Sequence, residues 1–194
     1  LFVLIIGGFF GVVNQTKSID SAIYQITVKL QGREIWLIPT LMGLFALGGT
    51  LIGMAEETLP FYTLVIPVMI AAGYDTITGV AVVMIGAGIG ALGSTINPFA
   101  TIIASNAAEV SFTDGLGLRI VVLVLAWLLC VVYVMKYAKK VKNNPELSLV
   151  AAQKAADEKY FLHNSTASQD TTLSGQQKLV LSILFLTFAA MVVG

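Results

Sequence analysis

The stretch Gly93-Ser-Thr-Ile-Asn-Pro-Phe-Ala-Thr101 places hydroxyl groups, an amide and a proline inside an otherwise apolar segment. The surrounding run 76–108 contains no Asp, Glu, Lys or Arg. As one straight helix it would extend about 50 Å at about 1.5 Å per residue, whereas the hydrocarbon core of a membrane is about 30 Å thick. The sequence therefore predicts that this segment is broken or strongly tilted.

Two residues indicate where the break lies. A proline removes a helical hydrogen bond but suits the first position of a new helix. Asn97, directly before Pro98, is a preferred N-cap residue. We therefore predict a broken helix over 77–108, made of a first helix at 77–92, a turn at 93–97 and a second helix at 98–108.

A helix broken inside a bilayer exposes N–H and C=O groups that lipid cannot satisfy, so such backbone occurs only where protein or water meets it. Discontinuous helices of this kind form binding sites in secondary transporters. The N–H groups that start the second helix suit a carboxylate, and the carbonyls that end the first suit Na+ or an ammonium group. Further donors and acceptors would come from Ser94, Thr95 and Asn97. The alternative is a proline kink that only packs helices.

Composition places the whole chain among integral membrane proteins. Hydrophobic residues make up 57% and charged residues 11% of it, against about 25% charged in ordinary soluble domains, and the mean hydropathy is +0.87. Eleven basic residues balance eleven acidic ones, so nothing indicates a nucleic-acid partner. Cys130 and His163 are each the only residue of their type, so neither indicates a metal site. Both ends of the chain fall within apolar runs, as expected of a piece of a longer protein.

The distribution of Lys and Arg predicts the orientation in the membrane. The polar, turn-rich segment 138–178 is rich in lysine and is predicted to be cytoplasmic. Segment 117–137 then spans the membrane, and 179–194 begins a further span. Every basic residue except Arg119 falls on the inner side or at its boundary. Segment 18–31 has apolar residues at helical spacing and is predicted to be a helix lying at the inner interface; the alternative is an ordinary cytoplasmic helix packed on a neighbour.

A second polar signal is Gly53-Met-Ala-Glu-Glu-Thr-Leu-Pro-Phe-Tyr62, which sets two carboxylates between apolar runs. In one interpretation the flanking runs are full spans, and Glu56 and Glu57 rest on the outer surface. In the other, 35–73 is a re-entrant hairpin whose tip ends inside the membrane, where a carboxylate is a functional candidate. Both return the chain to the same side, so the basic residues do not choose between them.

The two motifs, GMAEETLPFY and GSTINPFATIIAS, resemble the YfcC-like branch of the anaerobic four-carbon dicarboxylate carrier family, which includes proteins named as arginine/ornithine antiporters. The family belongs to the ion-transporter superfamily of inverted-repeat carriers. The resemblance covers essentially the whole chain and implies one half of such a carrier, an all-α integral membrane protein in which a re-entrant hairpin at 35–73 faces the broken helix 77–108. Residues 1–137 would form the first repeat, and 138–178 the linker to a second repeat that begins at 179–194.

The resemblance also implies half of a binding site. Its substrate-binding residues would be Ser94, Thr95, Asn97 and Pro98 in the break, with Glu56, Glu57 and Thr58 at the hairpin tip. No cofactor is implied beyond a coupling ion, Na+ or H+, with Na+ placed near the break. Helix N-termini and hydroxyls suit a carboxylate, whereas the two glutamates suit an amine or a cation. A dicarboxylate and a basic amino acid therefore both remain open as substrates.

We therefore expect a secondary active transporter of small carboxylate-bearing metabolites, a multi-pass protein of the bacterial cytoplasmic (inner) membrane that works by alternating access. Its partners would be the small-molecule substrate and membrane lipid, and a homodimer is a further arrangement. An enzyme is disfavoured because the chain lacks a ligand cluster, a nucleophile–base pair and a phosphate loop. The literal GxGxxG at 88–93 lies in a membrane segment rather than after a strand. The alternative function is a channel or a structural or assembly subunit, in which the polar break lines a pore or binds a partner.

Overall fold

The computed structural model describes residues 33–54, 58–162, 175–176, 179–180 and 182–183. Within these residues every regular element is helical and no strand occurs, which confirms the predicted all-α fold. Several predictions fall outside the described residues: the interfacial helix 18–31, the placement of Glu56 and Glu57, and nearly all of 179–194.

The described helices follow one another along the chain. They are α1 (Leu37–Ile52), α2 (Leu59–Ala71), α3 (Thr76–Gly93), α4 (Ile103–Ala107), α5 (Leu116–Asn143) and α6 (Lys154–Leu162). A 3-10 turn at Glu34–Trp36 precedes α1, and a π-helical turn at Pro98–Ile102 leads into α4. Two further 3-10 turns, Pro145–Leu147 and Ala151–Gln153, lie between α5 and α6.

Three segments of the described chain are long and apolar enough to cross a membrane by length and composition: Glu34–Ile52, Thr76–Ala107 and Leu116–Asn143. Helices α1 and α3 have 16 and 18 residues, which correspond to about 24 and about 27 Å of helix. Helix α2 has 13 residues, or about 20 Å, and is shorter than the hydrocarbon core. The chain is thus a multi-pass helical membrane protein.

Helix α3 lies between α1, α2 and α5 and packs against all three. Its contact with α1 is made backbone to backbone. A Cβ added at Gly90 would lie 2.2 Å from the carbonyl oxygen of Ala46, and one added at Gly49 would lie 2.3 Å from that of Ala87. Small residues at such positions allow membrane helices to approach closely. Helices α1 and α3 are therefore in direct contact near their C-terminal ends.

Apolar side chains fill the space between these helices, and α5 exposes many others. The fully buried members include Ile38, Met42, Met69, Val82 and Val83. On α5, by contrast, Leu118 and Leu129 are 70% and 72% exposed. A helix with so much exposed apolar surface needs lipid or further protein around it, which fits a membrane-embedded chain.

Helix α5 is longer than the sequence predicted. The predicted span 117–137 continues as helix for six residues, to Asn143. Three of the lysines of 138–178, Lys139, Lys140 and Lys142, lie in the last turns of this helix, where positive charge is favourable beside the carbonyl end. The helix ends directly before Asn144-Pro145, because the residue before a proline avoids helical geometry.

The segment after α5 also contains more regular secondary structure than is expected of a turn-rich linker. Its helix α6 was not predicted from the sequence. Residues 154–162, KAADEKYFL, are mostly good helix formers, and Lys154 Nζ lies 3.8 Å from Glu158 Oε1 at the i, i+4 spacing that supports an exposed helix. The polar composition of the surrounding segment concealed this local preference.

Candidate functional site

Asn97 caps the helical segment that follows the break. Its side chain is 3% exposed, and its Oδ1 accepts hydrogen bonds from the backbone N–H groups of Phe99 at 2.9 Å and Ala100 at 3.1 Å. The N–H groups of Thr101 and Ile102 both donate to the backbone oxygen of Asn97. Pro98, which is exposed and has no N–H, occupies the first helical position.

The expectation of free N–H groups at this helix start is therefore wrong for the described state. The break does begin a new helix at Pro98, but each N–H in the first turn already has an acceptor within the chain. The physical reason is that the N-cap residue itself satisfies the donors that a helix start leaves open. A carboxylate would have to share these donors or replace Asn97 Oδ1.

Ser94 and Thr101 face each other across the break. Their hydroxyl oxygens are 2.7 Å apart, and Thr101 Oγ1 donates to the Ser94 carbonyl oxygen at 2.6 Å. A threonine hydroxyl has one proton to donate, and that of Thr101 is donated to the Ser94 carbonyl oxygen. Ser94 Oγ is therefore the donor in the hydrogen bond between the two hydroxyl groups. Both residues are buried, and Ser94 has a φ of 29°, outside the regions that residues with a side chain prefer. Thr101 was not among the predicted site residues.

Thr95 connects the break to the end of α1. Its N–H donates to Thr50 Oγ1 at 2.9 Å, and Thr50 Oγ1 in turn donates to Thr95 Oγ1 at 3.1 Å. The N–H of Ile96 also points at the Thr50 carbonyl oxygen, at 3.4 Å. Thr50 is 2% exposed. The sequence analysis did not name Thr50, and the only available signal was a hydroxyl in the last turn of an apolar helix.

The end of α1 also lies against Asn97. Gly53 ends α1 in a left-handed conformation, with φ of 77°. A Cβ added there would lie 2.7 Å from both Oδ1 and Nδ2 of Asn97, so a side chain does not fit. The end of α1 and the break therefore meet at this residue.

Thr58 lies on the other side of the tip, at the start of α2. It is 5% exposed and borders a groove of about 510 Å³ between the tip and α3. The groove is lined by Met54, Thr58, Leu59, Tyr62, Met84, Ala87, Gly88 and Ala91. Thr58 thus belongs to this mainly apolar groove, whereas Ser94, Thr95 and Asn97 belong to the hydrogen-bonded cluster at the break.

Arg119, on the second turn of α5, binds the carbonyl end of the break. Its Nη1 donates to the carbonyl oxygens of Ser94 at 3.3 Å and Thr95 at 3.4 Å. Its Nη2 donates to the carbonyl oxygens of Asp114, at 2.9 Å, and Phe112 in the preceding loop. An arginine therefore engages two carbonyl oxygens at the position near the break where Na+ was predicted. The one sequence feature that distinguished Arg119 was its position as the only basic residue on the predicted outer side of the membrane.

A second polar cluster lies at the opposite end of α3. Asp75 caps this helix, and its Oδ1 accepts from the N–H and Oγ1 of Thr78 at 2.9 and 2.6 Å. Its Oδ2 accepts from Tyr137 on α5 and from Ser148 in the segment after α5, both at 2.6 Å. Burial alone would raise the pKa of Asp75, but the hydrogen bonds from Ser148, Thr78 and Tyr137 outweigh it and hold the pKa below its ordinary value. The sequence analysis named none of these residues.

Further contacts join the same region. Lys142 Nζ donates to the Ala72 carbonyl oxygen at 3.0 Å and lies 3.4 Å from Glu34 Oε2. Thr76 Oγ1 donates to Asp157 Oδ2 on α6 at 2.5 Å. The turn before α1, the end of α2, the start of α3 and the segment after α5 are therefore connected. Among the described residues no group of three or more His, Cys, Asp or Glu is arranged to hold a metal ion.

Comparison with known proteins gives the family. Residues 1–194 match the family described as DcuC, C4-dicarboxylate anaerobic carrier. The chain is 34% identical over 194 residues to a Haemophilus influenzae protein named "Uncharacterized protein", a match that covers 100% of this chain and 38% of that relative. It is 45% identical over 150 residues to the Escherichia coli protein named "Putative basic amino acid antiporter YfcC", covering 77% of this chain and 30% of that relative.

The chain thus spans 38% and 30% of the lengths of these two curated relatives. No solved structure matches it significantly. The full-length family match confirms the resemblance that the two polar motifs indicated. This chain belongs to the C4-dicarboxylate anaerobic carrier family of membrane transporters.

Proposed function

We propose that this chain forms one half of a secondary active transporter that moves small carboxylate-bearing metabolites across the bacterial cytoplasmic membrane by alternating access. The observation that carries the proposal is the break at 94–97, where buried polar groups lie in an apolar segment against the hairpin tip. Backbone of this kind at membrane depth is characteristic of transporter binding sites. The family description and the name of the Escherichia coli relative favour the same class of activity.

A basic amino acid is the substrate that the residues favour. Its carboxylate would bind at the start of the second helical segment, where the N–H groups of Phe99 and Ala100 already hold an oxygen atom, that of Asn97. Its amine would pair with Glu56 or Glu57. Covalent geometry keeps the Cα of Glu56 within about 11 Å of that of Gly53, and Gly53 lies against Asn97. A dicarboxylate would need an accompanying cation or proton to approach the two glutamates.

The hairpin and the broken helix are proposed to move as one unit. Thr50 hydrogen-bonds to Thr95, the backbones of α1 and α3 touch at Gly49 and Gly90, and Gly53 abuts Asn97. Separating the two elements would break all of these contacts together. A re-entrant arrangement of 35–73 fits this unit, because α2 at about 20 Å is too short to cross the hydrocarbon core alone.

The coupling ion is proposed to be Na+ or H+, and the arrangement at Arg119 limits where Na+ could bind. The Ser94 and Thr95 carbonyl oxygens accept from the guanidinium group. A Na+ ion at these oxygens would lie directly beside a positive charge, and Coulomb repulsion would oppose it. Binding at this position would therefore require Arg119 to move away.

Counterflow exchange tests the proposal. The full-length carrier is reconstituted into liposomes loaded with unlabelled arginine or succinate, and uptake of the labelled compound is followed. Asn97→Ala and Glu57→Gln are compared with Asn106→Ala, an exposed asparagine of α4, and Glu146→Gln, an exposed glutamate after α5. We expect saturable arginine exchange that is lost in Asn97→Ala and Glu57→Gln and kept in the two controls.

The other outcomes are equally informative. Succinate exchange that is lost only in Asn97→Ala would replace the amino-acid substrate with a dicarboxylate and leave Glu57 without a role in binding. If a folded carrier moves neither compound, both substrate assignments fall. Fluxes that do not saturate with concentration would contradict a carrier and support the channel alternative.

A further inference from the structure

We propose that Arg119 is a tethered cation that occupies the carbonyl end of the helix break and competes there with a free cation. The inference rests on the proposed transport function, because it concerns the ion that would be coupled to the substrate. Arg119 lies outside the predicted substrate-binding loop, on α5 rather than on the broken helix.

The break leaves a negative end that needs a positive partner. Helix α3 ends at Gly93. The last carbonyl groups of a helix receive no hydrogen bond from N–H groups of the same helix, and they carry the negative end of its dipole. The carbonyl groups of Ser94 and Thr95 follow directly after this end. In broken transporter helices such carbonyl ends and unwound backbone coordinate cations. At this break the cationic group present is the guanidinium of Arg119, which lies 3.3 Å from the Ser94 carbonyl oxygen and 3.4 Å from that of Thr95.

The contacts of Arg119 resemble those of a bound cation more than those of an ordinary ion pair. Its four acceptors are all backbone carbonyl oxygens, belonging to Ser94, Thr95, Phe112 and Asp114. Among the described residues the ion pairs involve Lys142 and Lys154, and no carboxylate lies within 4.0 Å of Arg119. The charge is thus balanced by carbonyl dipoles, as that of a coordinated metal ion would be.

Arg119 also belongs to a different element from the carbonyls that it binds. It lies on α5, whereas Ser94 and Thr95 lie between α3 and α4, and Thr95 is hydrogen-bonded to Thr50 at the end of α1. If the hairpin and the broken helix move relative to α5, Arg119 leaves the carbonyl end and exposes it. A free cation would then bind in the position of the guanidinium, so the two occupancies exclude each other. The arginine would thereby link cation binding to the movement of the unit.

The test measures the effect of Na+ on the thermal stability of the full-length carrier without substrate. The melting temperature, Tm, is compared in NaCl and in N-methylglucamine chloride at equal ionic strength. In Arg119→Gln, which removes the tethered charge, we expect Na+ to raise Tm by about 2 °C or more beyond its effect on the wild type, since a ligand that binds only the folded state stabilises it. Arg119→Lys keeps a positive charge and should show the wild-type response to Na+.

The matched control is Lys139→Gln, which removes one exposed positive charge from the same helix, away from the break. Its response to Na+ should equal that of the wild type. If Arg119→Gln does not fold, Arg119→Met preserves the length of the side chain and carries the same prediction. A purely structural role for Arg119 would lower Tm equally in both salts.

An effect of Na+ on Arg119→Gln no larger than on the wild type would overturn the proposal, as would an equal gain in Lys139→Gln. The measurement stays separate from the test of transport, because no substrate is present. If the carrier moves neither arginine nor succinate, the proposed function is contradicted. The comparison of Tm in the two salts still decides the role of Arg119 in that case.

Discussion

Asn97 joins three parts of the molecule through one buried side chain. Its Oδ1 caps the segment after the break, its backbone oxygen accepts from the π-helical turn, and its amide lies against Gly53 at the hairpin tip. Sequence analysis predicted the cap because Asn before Pro is a local signal. It did not predict that the cap would accept hydrogen bonds from the same N–H groups that were expected to bind a ligand. That result depends on the three-dimensional geometry of the turn.

Replacing Asn97 by alanine should destabilise the carrier as well as abolish exchange. The change removes an N-cap and leaves the N–H groups of Phe99 and Ala100 without their side-chain acceptor, which costs about 1–2 kcal/mol. Thermal unfolding of Asn97→Ala, compared with Asn106→Ala, measures the difference. A stability of Asn97→Ala equal to that of Asn106→Ala would show that the capping geometry does not contribute.

Gly53 offers a test of the contact between the hairpin tip and the break. Gly53→Ala adds left-handed strain and places a methyl group against Asn97, whereas Gly115→Ala adds similar strain with nothing within 4 Å of the new Cβ. Strain alone costs about 1–2 kcal/mol, and overpacking adds about 1–3 kcal/mol. We expect Gly53→Ala to lower the free energy of unfolding by at least about 1 kcal/mol more than Gly115→Ala. Equal losses in the two variants would argue against this contact.

At the level of elements, the break itself was predicted more accurately than anything that surrounds it. The first helix was predicted at 77–92 and is found at Thr76–Gly93, and the second segment begins at Pro98 as predicted. These boundaries depend on proline and N-cap chemistry within a few residues. The bonds of Thr50 and Arg119 to the break depend on tertiary packing across 45 and 24 or 25 residues, and no local pattern encodes them.

The contact between α1 and α3 can be tested with two glycines on one helix. Gly90→Ala would place a methyl group 2.2 Å from the Ala46 carbonyl oxygen, whereas the new Cβ in Gly88→Ala meets nothing within 4 Å. Because backbone cannot move aside as a flexible side chain does, Gly90→Ala should cost about 1–3 kcal/mol and reduce exchange. Gly88→Ala should be neutral or more stable by up to about 1 kcal/mol, since alanine favours helix. Thermal unfolding and counterflow exchange measure both, and a tolerated Gly90→Ala would contradict the close packing of α1 and α3.

Over the described chain as a whole, two polar clusters lie at opposite ends of α3. One surrounds the break, and the other joins Asp75 to Tyr137 and Ser148. The second cluster attaches the segment after α5 to the start of α3, so this segment is part of the packed structure and not merely a tether. Sequence analysis treated 138–178 as a polar connection because hydroxyl and carboxylate groups in such a stretch usually face water.

Asp75→Asn should release the segment after α5 while it leaves the helix cap in place. An amide can keep one oxygen on Thr78, but it replaces the carboxylate oxygen that accepts from Tyr137 and Ser148. Hydrogen bonds to a charged group contribute about 1.5–3 kcal/mol. We expect proteolysis at 144–153 in inside-out vesicles to be several times faster than in Asp114→Asn, a change at an exposed aspartate. Equal cleavage rates would show that Asp75 does not hold this segment.

The same cluster predicts a dependence on pH. The hydrogen bonds lower the folded-state pKa of Asp75 below the ordinary value of 3.8, so its contribution to stability is present above that value and is lost as pH falls through the folded pKa. The difference in Tm between the wild type and Asp75→Asn should therefore stay constant from about pH 7 to about pH 5 and shrink only below the ordinary pKa. A difference that already shrinks near neutral pH would contradict an ionised Asp75.

The pairing of Ser94 with Thr101 has a consequence for how the chain enters the membrane during synthesis. Ser94 Oγ and Asn97 Oδ1 find partners within seven residues, through this hydroxyl pair and through the Asn97 cap. Thr95 depends instead on Thr50, which precedes it in the chain, and on Arg119, which is synthesised later. The segment can therefore leave the translocon for lipid with the groups of Ser94 and Asn97 satisfied locally and with Thr50 already present. Loss of either hydroxyl should then lower the yield of inserted protein, even where the mature carrier tolerates the change.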